Sequence, residues 1–152
     1  MLRDDINNAL KDAMKAGEAR RVSTLRLVNS SLKNADIEAR GLGKPALNDE
    51  ELLSLLQKMI KQRHESVELY QKGGRADLVA QEQGEIEIIS AYLPAQMAES
   101  EIVDTVAALV RETGATAMKD MGRVMAALKE RYAGKLDFAK ASGAVKKLLS
   151  GG

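Results

Sequence analysis

The stretch GEIEIISAYLPAQ (84–96) sets the hardest constraint on how this chain can fold. Ile86, Ile89 and Leu93 fall three and four residues apart, and Ile88 and Tyr92 widen the apolar face they make, which is helical spacing. Pro94 follows at once. A proline inside a helix removes an i→i−4 hydrogen bond and clashes with the preceding turn, and the residue before it is pushed out of the helical region. The pattern therefore predicts a buried helix stopped just after Leu93, with a sizeable part of the chain still to be folded by other means.

Helical periodicity runs through almost all of the sequence. Before Pro94 it predicts four helices. Ile6, Leu10, Ala13 and Met14 mark the first, ended near Gly17. Leu25, Val28, Leu32 and Ala35 mark the second, ended by Gly41. After the Gly- and Pro-containing loop GLGKPALN (41–48), Asn48 and Glu51 have the spacing of a capping box. That box opens a third helix, carrying Leu52, Leu56, Met59, Ile60, Arg63 and Val67 and ended at Gly73–Gly74. The fourth starts near Arg75 and carries Leu78, Val79, Glu82, Ile86, Ile89 and Leu93. After Pro94 three shorter helices follow. They are centred on Ile102–Val110, on Met121–Leu128 and on Ala141–Leu149, with Asp137 as the N-cap of the last. No segment alternates apolar and polar residues for long enough to make a strand. The expected architecture is all-α: a four-helix N-terminal domain over 1–94 and a three-helix tail over 95–152. A domain as small as the tail is marginal alone and is expected to lean on the first or on a partner.

Composition narrows the chemistry. Aromatic residues are 3% of the chain and Trp is absent, so the core must come from aliphatic side chains and Met. There is no Cys, which excludes disulfides, thiolate metal sites and a cysteine nucleophile. No apolar run approaches the ~20 residues that span a bilayer, so no membrane partner is expected. The N-terminal MLRDDINNALK has no apolar signal-peptide core. Together these lead to the expectation of a cytoplasmic protein. The net charge of +1 conceals an asymmetry. From Ala115 onward there are 8 Lys and Arg against 3 Asp and Glu, a net of +5. Such a bias suits a polyanionic partner, although a solvated lysine-rich helix surface would give the same count.

Three stretches carry a resemblance to a known family. TLRLVNSSLKNADIEAR (24–40) and YQKGGRADLVAQEQGEIEIISAYLPAQ (70–96) closely resemble the YqeY family. KDMGRVMAALKERYAGKLDFAKASGAVKKLL (119–149) resembles that family's C-terminal module, which in turn resembles the tail of the GatB subunit of aspartyl/glutamyl-tRNA amidotransferase. The resemblance implies two all-α domains and, through the GatB tail, contact with tRNA. It also invites the label of a carbon–nitrogen ligase using glutamine as amido donor. Nothing here matches the amidotransferase's catalytic domain, and function belongs to sites rather than to a shared fold. The family commonly places Ser or Thr at the cap of the first tail helix. This chain has Ala98 there, leaving Glu101 as half of a capping box.

Candidate catalytic groups are few, and none is assigned. His64 is the sole histidine, too little for a zinc site with its usual three protein ligands. Glu82 and Glu85 lie one helical turn apart, with Glu87 near. Paired carboxylates can exchange protons or hold Mg²⁺. Glu82, however, falls on the apolar face, where pairing with Arg26 or Arg63 is the simpler reading. Gly73, Gly74 and Arg75 could present backbone N–H groups to an anion, but the Lys-Ser/Thr of a P-loop is missing. Asp77 reads as a helix-dipole partner. A Ser–His–Asp set has no nucleophile elbow to build on. No cofactor or metal is expected.

The tail offers a binding reading instead. Lys119 and Arg123 are four residues apart, and Gly122 between them is a costly helix residue, about 1 kcal/mol worse than Ala. That cost calls for close approach of another helix or of a ligand backbone. Lys129 and Lys135 extend the basic set, with Gly134 ending the helix. Met118, Met121 and Met125 read as core filling. With so few aromatics, RNA contact would be made to phosphate and shape. The expected function is a tRNA-associated binding module that uses Lys119, Gly122, Arg123, Lys129 and Lys135. The alternatives are an accessory factor or partial enzyme in tRNA-dependent amidation, working with a tRNA-modifying or translation protein, and a protein-interaction adaptor with no RNA role.

Overall fold

In the computed structural model, which describes residues 1–150, the apolar periodicity becomes seven α-helices with no strand among the described residues. They are α1 (Leu2–Ala16), α2 (Ala19–Gly41), α3 (Asp49–Lys72), α4 (Ala76–Ser90), α5 (Glu99–Thr113), α6 (Met121–Tyr132) and α7 (Phe138–Ser150). A single 3-10 turn, Met118–Asp120, precedes α6. The chain is all-α, as its pattern predicts. It divides into two compact units, Met1–Pro94 and Ala95–Gly152.

In the first unit the caps fix where helices begin and end. Asn48 Oδ1 accepts from the Glu51 N–H at 2.8 Å, and Glu51 Oε1 accepts from the Asn48 N–H at 3.3 Å, so the predicted capping box forms. At the other end of α3, Gly74 has φ +70°, a left-handed conformation that costs glycine little. The Arg75 N–H donates to Tyr70 O at 2.9 Å and the Gly74 N–H to Gln71 O at 3.2 Å. These are the paired bonds of a Schellman ending. The tight turn folds α4 back along α3. Ile6, Leu25, Val28, Leu56, Met59 and Ile89 close the core of this unit, with Tyr92 and Leu93 packed on its edge. Each such side chain contributes about 1.5–3 kcal/mol when fully buried. The loop before α3 is tied down by polar bonds. Arg3 donates twice to Asp36, at 2.7 and 3.1 Å, and once to Leu47 O at 3.0 Å, while the Leu47 N–H donates to Asp36 Oδ1 at 3.0 Å. The Arg3 guanidinium and then the Leu47 N–H hold the Asp36 carboxyl below the usual carboxylate range.

The structure corrects several details. α4 stops at Ser90, three residues before Leu93. Pro94 has no N–H to offer the Ser90 carbonyl, and its ring disfavours the helical region for Leu93 before it. The chain tightens instead: the Leu93 N–H donates to Ser90 O and the Tyr92 N–H to Ile89 O, both at 3.1 Å. Met14, on the rim of its helix's apolar face, is exposed. So are Met118, which lies in the 3-10 turn, and Leu148.

The second unit closes around Ile102, Val106, Leu109, Val124, Leu128 and Val145. Half of the expected box at α5 forms: the Ala98 N–H donates to Glu101 Oε1 at 3.4 Å, while Ala98 has no side-chain acceptor to return the bond. Asp137 caps α7 by accepting from the N–H groups of Ala139 and Lys140, at 2.9 and 3.3 Å.

Candidate functional site

The tail residues singled out from sequence surround the start and end of α6, but not in the register expected. Lys119 sits in the 3-10 turn before α6, so the four-residue spacing to Arg123 is not one face of a continuous helix. The turn exists because of Asp120. Its Oδ2 accepts from the N–H groups of Thr116 and Ala117, at 3.0 and 3.2 Å. Those two bonds, with Arg123 and Lys119 nearby, hold the Asp120 carboxyl below its ordinary range. Arg123 bends back to Asp120 Oδ1 at 3.3 Å, with its side chain still largely exposed. It is a partly neutralised cation.

Gly122 is exposed, and a Cβ added to it would meet nothing within 4 Å. No other helix of its own unit approaches it, so close helix packing within that unit does not explain this glycine. Lys129 and Lys135 are exposed. Lys135 is fixed through its backbone, its carbonyl accepting from the Met97 N–H at 2.8 Å. Met121 and Met125 pack on the core as expected. Arg131 makes a two-bond pair with Glu112, at 2.9 and 2.8 Å, which removes it from the free basic surface. The surface left around α6 is thus Lys119, Gly122, a tethered Arg123, Lys129 and Lys135.

The carboxylate cluster is rearranged too. Glu85, not Glu82, occupies the buried face of α4. It is 7% exposed and accepts from Arg63 Nε at 3.0 Å. Arg63 also donates to Met59 O at 3.1 Å. Arg26, the other proposed partner, is exposed. Glu82 is half-buried beside the pair. Burial, and then the Glu85 charge, push its carboxyl above the ordinary glutamate range, with Arg63 acting in the opposite direction. Glu85 is thus held in a buried ion pair that joins α3 and α4. Among the described residues no cluster of three or more His, Asp and Glu side chains is arranged to hold a metal, and His64 is exposed.

The glycine turn does not cradle an anion, because its donors are used. The N–H groups of Gly73, Gly74 and Arg75 all bond carbonyls of α3. Arg75 closes on Asp77 with bonds of 3.2 and 2.9 Å, so Asp77 serves as an ion-pair partner as well as a first-turn acid.

Two features escaped sequence reasoning. Gly84, in the interior of α4, lies under the Arg20 side chain, and a Cβ there would stand 2.7 Å from an Arg20 guanidinium nitrogen. An apolar groove also opens between α5 and α7, with Lys140 and Lys147 on its rim. The signal available for the groove was Gly143, a second helix-interior glycine, three and four residues from those lysines.

A family model described as "Yqey-like protein" matches residues 3–149. Curated relatives share the name "Altered inheritance of mitochondria protein 41, mitochondrial". The one from Pyrenophora tritici-repentis is 34% identical over 128 residues, 80% of this chain and 68% of the relative. The one from Lachancea thermotolerans is 42% identical over 91 residues, 59% of this chain and 46% of the relative. A Saccharomyces cerevisiae relative is 33% identical over 93 residues, 61% of this chain and 49% of its own length. The chain thus spans about half the length of the Lachancea and Saccharomyces relatives. These names overturn the expectation of a cytoplasmic protein, because the relatives are named as mitochondrial. A cysteine-free, non-spanning helical chain suits more than one compartment, and the expectation had no positive signal behind it.

Proposed function

We propose a function from one premise: the chain belongs to the Yqey-like protein family. On that premise it works as a tRNA-associated binding module without catalysis of its own, gripping the phosphate backbone with the surface around α6. The observation that carries this reading is Gly122. It stands in the first turn of α6, exposed, with open space above it and Lys119 and Arg123 beside it. A helix start carries partial positive charge and N–H donors, and a missing Cβ lets a phosphodiester approach the backbone. The net +5 from Ala115 onward supports the same reading, as does the resemblance of residues 119–149 to the GatB tail.

The test is affinity for bulk tRNA across a salt series, wild type against Lys119→Glu with Lys135→Glu. Removing one lysine from a phosphate should lower the slope of log affinity against log salt by about one unit. The variant should bind far more weakly, with its helical circular dichroism unchanged. Equal affinities, or no binding even at low salt, overturn the reading.

A further inference from the structure

The groove between α5 and α7 is made entirely within the second unit. Glu99, Ile102 and Val103 line it from α5, and Lys140, Gly143, Ala144, Lys147 and Leu148 from α7, enclosing ≈ 590 Å³. None of the α6 residues assigned to RNA lines it. On α7 the five residues are spaced three, one, three and one, so they form a single face of that helix. Small residues occupy the middle of this face. A Cβ on Gly143 would meet nothing within 4 Å. Two of the groove's large apolar side chains are left to solvent, Val103 at 51% and Leu148 at 43% exposure. Lys140 and Lys147 lie two turns apart, ~10 Å along the axis. Both are exposed, and neither forms an ion pair among the described residues. Glu99 is the groove's only acidic residue.

We infer that this groove docks an amphipathic helix of a partner protein, with apolar residues facing Ile102, Val103 and Leu148 and acidic residues flanking them over Lys140 and Lys147. The chemistry selects this occupant. An α-helix bringing side chains at i, i+3 or i+4, and i+7 spans the distance between the two lysines. Gly143 and Ala144 let its backbone come close. The lysines ask for carboxylates along the α7 side, and the exposed Val103 and Leu148 ask for apolar cover. A nucleic-acid backbone offers no such cover, and none of the lining residues is an aromatic on which a base could stack.

The test uses the full chain and two fluorescein-labelled helical peptides of about 18 residues. Both have the same leucine stripe, flanked by Glu in one and by Lys in the other. Binding is read by fluorescence anisotropy. The Glu-flanked peptide should bind at least ~10-fold tighter than its Lys-flanked counterpart. Lys140→Glu with Lys147→Glu should reverse that preference. These are exposed positions, so the reversal stays readable even if other variants fold poorly. Gly143→Leu should weaken the Glu-flanked peptide by at least ~10-fold while the melting temperature holds or rises, because leucine is the better helix former. Equal binding of the two peptides, or no binding up to about 100 µM, overturns the proposal. So does displacement of bound peptide by bulk tRNA, which assigns the groove to RNA. A dimer in light scattering that Gly143→Leu makes monomeric, with no peptide bound, assigns it to a second copy and overturns the proposal equally.

Discussion

Arg63 Nε donates to Glu85 Oε2 at 3.0 Å across the α3–α4 interface, with side-chain exposures of 13% and 9%. The bond joins the two helices of the hairpin near Met59, whose carbonyl takes a second donor from the same guanidinium. Glu82, one turn earlier on α4, stands beside this pair without closing on it. The carboxylates that first suggest acid–base chemistry are thus divided between a buried ion pair and a bystander.

Breaking that pair from one side should be costly. Arg63→Ala leaves the Glu85 charge buried and unpaired and should destabilise the protein by about 3 kcal/mol in chemical denaturation. Replacing both, as Arg63→Met with Glu85→Leu, should recover most of the loss. If the double variant is no better than the single one, the pair holds the hairpin by geometry that apolar packing cannot replace.

Glu82 yields a prediction of opposite sign. Its folded-state carboxyl titrates above the ordinary range, so the folded protein holds this proton more tightly than the unfolded chain does. Stability therefore falls as pH rises from the unfolded-state value through the raised folded-state one. Near pH 7 the charged form carries the full penalty of burial beside Glu85, and Glu82→Gln should be more stable than wild type. The gain should shrink toward zero at about pH 3.5, where the carboxyl is protonated in both states. Melting temperatures of the two proteins across this pH range decide it. A gain that persists undiminished in acid would mean the cause is packing.

Thr24 is fully buried, and its hydroxyl has no hydrogen-bond partner among the described residues. Val has nearly the same shape without the oxygen. Thr24→Val should therefore be neutral or stabilising by up to about 1 kcal/mol, since it removes an unmet desolvation cost. A loss of more than about 1 kcal/mol would show that the hydroxyl finds a partner in solution.

These cases show which parts of the molecule were legible in the sequence. Helix number and type were, because periodicity over long segments reflects burial directly. The Asn48–Glu51 box and the Asp137 cap were, because their bonds are local. The choice between Glu82 and Glu85 was not. Both fall on the apolar face, and the position of Arg63 on a neighbouring helix decides between them. The 3-10 turn at Met118–Asp120 was hidden for a related reason. It depends on one carboxylate folding back on two N–H groups, while the apolar pattern reads straight through into α6. Gly122 was visible as a costly helix glycine, but only the structure shows that a Cβ on it would meet nothing within 4 Å.

Residues 95–152 are expected to behave as a domain. The opening segment is held less loosely than its small polar sequence suggests. The Met97 N–H bonds Lys135 O, Gln96 bonds the Gly134 carbonyl through its side chain, and Glu99 and Ser100 are already in α5. Cleavage by a dilute protease should therefore concentrate around residues 91–95 rather than across the whole of 95–100. A fragment starting at Ala95 should keep its helical circular dichroism, with a low melting temperature for so small a core. A fragment that is unfolded at low temperature would refute its independence as a domain.

The two glycines at 84 and 122 separate packing from binding. Gly84 sits in the interior of α4, where Ala is favoured by about 1 kcal/mol, whereas Gly122 stands in the first turn of α6, where that preference is smaller. At Gly84 the new Cβ would stand 2.7 Å from the end of the Arg20 side chain, so the arginine must swing aside and part of the gain is lost. In an Arg20→Ala background the full gain should return, and a double-mutant cycle in urea reads the difference. At Gly122 the space is open. Gly122→Ala should therefore modestly stabilise the protein with no help from a second substitution. If a phosphate comes down on this turn, the same variant should bind tRNA more weakly at every salt concentration with little change in slope. A methyl group blocks approach without removing a charge, whereas Lys119→Glu should lower the slope itself. A Gly122→Ala protein that is more stable and binds tRNA as tightly as wild type would leave this glycine without a part in RNA contact.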